Sequence, residues 1–285
     1  MHSADPVLPA ELERSVFEFS AWQNPETIFT LILVAKRVCI WIEPELYHMV
    51  AFRKPRSFLM LQSKPAEFLR RHVRGVAIPG NISHVDIERI LSKCTGVYDL
   101  TLSMEPHWNY AMPRPKLLPR LCTLTNLQRL STNLFALCGG RGHGGFDAQF
   151  RMPSSEELPF ASLTHLDIFG LVPNQLWPVF GMLPQLTHLS LNDTALPGPE
   201  LINAVLGACP VLKVLVVLWT RDVRISPLPD ESKINTDPRF CIVRCLYYDF
   251  DWECGARGGP DVWRRAEEAV TKKIRARRKG SDVLE

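Results

Sequence analysis

One phrase recurs along the chain: two aliphatic residues three positions apart, in most copies with a third aliphatic residue two positions later. It reads Leu163-x-x-Leu166-x-Ile168, Leu186-x-x-Leu189-x-Leu191 and Leu212-x-x-Leu215-x-Val217, with starts 23 and 26 residues apart. Weaker copies lie upstream as Val73-x-x-Val76-x-Ile78, Val97-x-x-Leu100-x-Leu102 and Leu127-x-x-Leu130. The alternation at the end of each phrase has the period of a strand. Helical spacing fills the intervals. Ser83-His-Val-Asp86 makes a capping box ahead of Ile87, Ile90 and Leu91. Gly198-Pro199-Glu200 opens a helix bearing Leu201, Val205 and Leu206. Phe240–Tyr248 reads as one more strand, and Trp263, Ala266, Val270 and Ile274 mark a closing amphipathic helix.

The first 52 residues have a different texture. Leu8, Leu12, Val16 and Phe19 fall on one face of a helix begun by Pro9. Asn24-Pro25-Glu26 starts a second helix through Ile28, Leu31, Ile32 and Ala35 toward Trp41, and Glu43-Pro44 starts a third with Leu46, Tyr47 and Val50.

The spacing of the phrases matches the period of leucine-rich repeats, in which each unit buries its apolar edge only against its neighbours. The expected fold class is therefore α/β: an N-terminal helical unit (1–52), an irregular leucine-rich-repeat solenoid (53–260) and a basic C-terminal helix or tail (261–285). The step from Leu127 to Leu163 is long and contains Gly139-Gly-Arg-Gly-His-Gly-Gly145, which reads as a surface loop inserted in one repeat. In such a solenoid the leucines turn inward and the alternate strand residues face out on an open concave sheet. That places Asp99, Thr101 and Ser103 in one row, then Arg129 and Ser131, then His165, Asp167 and Phe169, then His188, Ser190 and Asn192, and last Val214, Val216 and Leu218. Of these, Asp99, Arg129, His165, Asp167, Phe169, His188, Ser190 and Asn192 are the expected contacts for a protein substrate, with Phe169 as the aromatic anchor.

The N-terminal residues also carry a family pattern: Leu8-Pro9-x-Glu11-Leu12-x-x-x-Val16-Phe17, then Leu33-Val34-Ala35-x-Arg37-Val38-x-x-Trp41, then Glu43-Pro44-x-Leu46-Tyr47. This resembles an F-box, and most of all the divergent F-box-like proteins of fungi that carry degenerate leucine-rich repeats behind the box. Ser92-Lys-Cys94 and Ala208-Cys209-Pro210, each before a strand phrase, are similar to the repeat units of that family. The resemblance implies a non-catalytic substrate receptor of a Skp–cullin–F-box ubiquitin ligase. Its box would bind a Skp-type adaptor through Leu8, Pro9, Leu12, Val16, Phe17, Ile28, Leu31, Val34, Val38 and Trp41. Three short helices bury too little apolar surface to stand alone, and a partner's helices would complete them. The other reading of the same surface is a cap packed on the solenoid.

Charge and chemistry change this picture only at the margins. The net charge is +3, yet Arg264–Lys279 holds eight basic residues against two acidic ones. Lys272-Lys-Ile-Arg-Ala-Arg-Arg-Lys279 reads either as a nuclear localisation signal or as a solvated helix end whose cations suit the helix dipole. No interleaved aromatics favour nucleic acid. The start Met-His-Ser-Ala-Asp-Pro lacks the basic and apolar regions of a secretory signal, so the eight cysteines are expected as reduced thiols in cytoplasm or nucleus. The longest apolar runs, Ile28–Ala35 and Val214–Trp219, are shorter than the ~20 residues of a membrane span. The glycine run lacks the Lys-Ser/Thr ending of a phosphate loop. Cys241 and Cys245 have no second pair at zinc spacing, and His165 and His188 occupy the same slot of successive strands without further ligands. No nucleophile–base arrangement can be placed by spacing, so neither cofactor, metal nor enzyme activity is expected.

Overall fold

The computed structural model describes residues 8–53, 55–103, 117–121, 123–138, 140–141, 145–146, 160–192, 196–220 and 227–281. The chain begins with four helices, α1 (Ala10–Gln23), α2 (Ile28–Leu31), α3 (Lys36–Ile42) and α4 (Glu45–His48), and passes directly into strand β1 (Met49–Ala51). Helices α5 (Pro55–Gln62) and α6 (Ala66–His72) lead to β2 (Gly75–Ile78), α7 (His84–Lys93) and β3 (Asp99–Leu102). After α8 (Leu117–Leu121), β4 (Arg129–Thr132) and α9 (Leu134–Leu137) comes a short antiparallel pair, β5 (Gly140–Arg141) with β6 (Gly145–Phe146). The remainder is β7 (His165–Phe169), a 3-10 segment Asn174–Met182, β8 (His188–Asn192), α10 (Pro199–Ala208), β9 (Val214–Trp219), β10 (Phe240–Arg244), α11 (Tyr248–Ala256) and α12 (Val262–Ser281).

Each recurrent phrase supplies one strand. The strands join in the order β1-β2-β3-β4-β7-β8-β9-β10, every neighbouring pair parallel. This corrects the expected fold class. In place of a helical unit followed by a leucine-rich-repeat solenoid with one open face, the chain builds a single eight-stranded parallel sheet with helices on both faces, and β1 comes from within the first 52 residues. One face buries the regularly spaced leucines (Leu100, Leu130, Leu166, Leu189, Leu215) against Ile87, Ile90, Leu121, Phe180, Ile202 and Val205 of the connecting helices. The other face meets α11 and α12: Val214, Val216 and Leu218 of β9 and Cys241 and Val243 of β10 pack on Val262, Ala266 and Val270. A parallel sheet is stable when covered on both sides, and here the chain's C-terminus provides the second layer.

Local signals hold well. Ser83 caps α7, its hydroxyl accepting from the Asp86 amide at 3.2 Å. Pro199 sits in the first turn of α10. Three elements depart from expectation. The second N-terminal helix stops at Leu31, and α3 restarts at Lys36 after Ala35, which is fully extended (φ −159°, ψ 156°). The strand from Phe240 ends at Arg244, and Tyr248 begins α11 instead. The basic tail is part of α12 and is anchored: Lys273 bonds Glu231 and the Phe240 carbonyl, and Arg277 bonds the Thr236 carbonyl. Of the glycine-rich loop, Gly139 and 142–144 lie outside the described residues, as do Cys122 and residues 222–226 of the polar segment before β10. No helix among the described residues is long and apolar enough to cross a membrane.

Candidate functional site

The N-terminal helices share a small core of Ala21, Ile28, Val38 and Ile42, with Phe17, Leu31 and Trp41 packed around it. Arg37 of α3 clamps α1 by donating to both carboxylate oxygens of Glu13 at 3.0 and 2.7 Å, and this hydrogen bonding holds the Glu13 carboxyl below its ordinary pKa. The face of α1 that the spacing of Leu8, Leu12, Val16 and Phe19 made the apolar one points to solvent. Leu12, Val16 and Phe19 are 56%, 57% and 66% exposed. Leu8, Phe29, Leu33, Val34 and Ile40 are exposed as well.

The expected adaptor contacts therefore divide. Leu8, Pro9, Leu12, Val16 and Val34 are open to solvent, and Phe17, Leu31 and Trp41 are half-buried. Ile28 and Val38 are buried in the helical core, so they shape the surface without belonging to it. Phe19, Phe29, Leu33 and Ile40 complete the exposed set. The turn at 32–35 brings Leu33 and Val34 outward, and an unbroken helix would have hidden that.

The second candidate surface is the polar middle of the sheet. Its rows follow the expected register: Asp99, Arg129, His165, His188 and Val214 are successive partners, and so are Thr101, Ser131, Asp167, Ser190 and Val216. The expectation that these side chains stand on an open surface is corrected. Asp99, Asp167, His188 and Ser190 are buried, and Arg129, His165, Phe169 and Asn192 only partly exposed, because α11 and α12 lie over them.

The contacts across that interface are mostly polar. Trp252 donates its indole N–H to Asp99 at 2.8 Å. The Tyr248 hydroxyl and Ser131 Oγ are 2.7 Å apart, and the Tyr248 ring meets Phe169 edge-on at 5.1 Å. Arg129 reaches Asp261 at 3.5 Å and Asp99 at 4.0 Å. The imidazoles of His165 and His188 stack at 4.2 Å beneath Trp263, each with Nδ1 2.8 Å from the hydroxyl of the preceding threonine. Nε2 of His188 lies 3.0 Å from Glu267.

Burial dominates the electrostatics. It drives His165 down to about 2, with the charge of His188 adding to the effect, and it lowers His188 against the pull of Glu267. Burial raises Asp99 to about 6, opposed by the Trp252 hydrogen bond and by Arg129. Asp167 is likewise raised to about 6, with Tyr248 and Ser190 opposing. At neutral pH the histidine pair is uncharged. Cys241 and Cys245 lie under α12 with their thiols pushed up to about 12 by burial, as inert packing groups. Among the described residues no group of three or more His, Cys, Asp or Glu side chains is arranged to hold a metal.

Tyr248, Trp252, Asp261 and Glu267, which cover this face, were not singled out from the sequence. A usable signal existed for α11: Asp249 and Asp251 lie in its first turn, and Gly255, Gly258, Gly259 and Pro260 punctuate its end. Compared with known protein families and with curated proteins, the chain matches none.

Proposed function

We propose that α1–α3 dock a Skp-type adaptor and that the chain serves as a non-catalytic substrate receptor of a Skp–cullin–F-box ubiquitin ligase, its α/β body carrying the substrate. The observation that carries this reading is the outward apolar stripe of Leu8, Leu12, Val16 and Phe19 on a helix whose only fully buried residue is Ala21. An amphipathic helix in a self-sufficient fold turns its apolar stripe inward. A contiguous apolar surface left in water marks an interaction site. The F-box-like order of Leu8-Pro9, Arg37-Val38 and Trp41 names the partner class.

The test is co-expression and pull-down of the full chain with a purified Skp-type adaptor. The wild-type chain is expected to form a stable complex. Leu12→Asp combined with Val16→Asp should abolish capture while leaving the melting temperature within about 2 °C, since exposed substitutions usually change stability by less than ~0.5 kcal/mol. No association at micromolar adaptor concentrations would sink the ligase reading and leave a protein-interaction scaffold whose apolar stripe takes another partner.

A further inference from the structure

Two helices cover the same sheet face by different means. α12 lies on Val214, Val216, Cys241 and Val243, an apolar seat that has no use for water. α11 and the start of α12 lie over Asp99, Thr101, Ser131, Asp167 and Ser190. This second seat is poorly matched to its cover. Thr101 Oγ1, both carboxylate oxygens of Asp167 and Ser190 Oγ are buried without a hydrogen-bond partner. Asp167 is 1% exposed and Ser190 0%. A cavity of about 20 Å³ remains between Asp99, Arg129, Ser131, Tyr248, Trp252 and Asp261, which is room for about one water. Buried polar atoms left unpaired cost stability, and valines like those at 214 and 216 would remove the cost. Such a face makes physical sense when another occupant can satisfy it. α11 is also built to move as a unit. Leu246 and Tyr247 at its start are exposed, and Gly258, at φ +78°, forms the joint to α12.

We propose that this polar face is a protein-binding surface that α11 occupies in cis, and that its partner is a helical segment presenting tyrosine and tryptophan whose polar tips take the places of Tyr248 and Trp252. α11 itself supplies the argument for the partner's chemistry, since its hold on the face consists of two aromatic rings tipped with hydrogen-bond donors to Ser131 and Asp99. The apolar half of α12 keeps the cover tethered while α11 lifts. The inference deepens the receptor reading by giving the substrate a place, and it rests on that reading only for the word substrate.

The experiment uses the full chain. In the wild type, amide exchange of 248–256 should proceed by local opening, well ahead of β3, β4 and β7. Tyr248→Phe with Trp252→Phe removes both anchoring hydrogen bonds and should speed exchange of 248–256 by about tenfold or more, leaving β9 and 262–270 unchanged. A fluorescein-labelled peptide of residues 246–260, carrying Cys254→Ala, should bind the double variant about tenfold or more tighter than the wild type. The same peptide with phenylalanine at 248 and 252 should not bind. Exchange of 248–256 that tracks the core strands in both chains, or no peptide binding to the double variant, would make α11 permanent core and overturn the proposal. Adaptor capture by the double variant is a separate readout through α1. Its loss would count against the ligase reading without touching this one.

Discussion

Val38→Asp should unfold the N-terminal helices while leaving the sheet standing. Val38 is fully buried among Ala21, Ile28 and Ile42, where no cationic side chain joins the cluster. An aspartate there must bury an unpaired carboxylate or expel the helix. Either way the cost is several kcal/mol, on the order of 4 or more. That exceeds what four buried residues can return, at roughly 1.5–3 kcal/mol for each large aliphatic. The sheet core is a separate cluster that meets this one through Leu46. Hydrogen exchange should therefore show protection lost across 10–42 and kept in β3, β4, β7 and β8. Protection intact in 10–42 would mean that the helical core is larger than these contacts indicate. The contrast with Leu12→Asp and Val16→Asp is the useful part, since all three lie in one F-box-like pattern and only the structure tells surface from core.

Asp167→Asn is expected to stabilise the chain at pH 7.5 and to have no such effect near pH 4. Burial raises Asp167 to about 6 from an ordinary 3.8, so the folded state holds the proton more tightly than the unfolded chain does. The sign follows from linkage: stability from this group is fully present below about pH 4 and is lost as pH rises through about 6. At pH 7.5 the folded protein bears a buried charge whose cost is on the order of 3 kcal/mol, and asparagine removes it. For a chain of this size that corresponds to a rise in melting temperature of roughly 5 °C or more. His165 and His188 act with the opposite sign, since their lowered values cost stability as pH falls below about 6.5, but they do so in both proteins and cancel in the comparison. Thermal melts of the two chains from pH 4 to 8 make the check. A variant less stable than wild type at pH 7.5 would show that Asp167 is held by partners other than Tyr248 and Ser190.

The candidate surfaces were partly legible for a simple reason. Alternation in Leu-x-x-Leu-x-Leu assigns each strand residue to one side of the sheet, so Asp99, Arg129, His165 and His188 could be lined up before any coordinates. Alternation does not say whether a side is wet. That depends on α11, a nine-residue helix with an indistinct apolar face whose docking runs through the tips of Tyr248 and Trp252. Hydrogen bonds to residues more than a hundred positions away leave no local pattern.

The sequence by itself determined the strands from Val73 to Val217, the cap at Ser83, the start of α10 and the apolar stripe on α1, because all of these are set by neighbours within a few residues. Tertiary structure alone decided three things. It decided which way the α1 stripe faces, because the helical core chose Ile28 and Val38 instead. It decided that β1 extends the same sheet through pairing with β2. It decided that the C-terminal helices close the second face, because β9 and β10 carry apolar residues on both sides and must bury both. In each case competing burials of similar local merit were open to the chain, and only the sum of contacts over the whole fold ranks them.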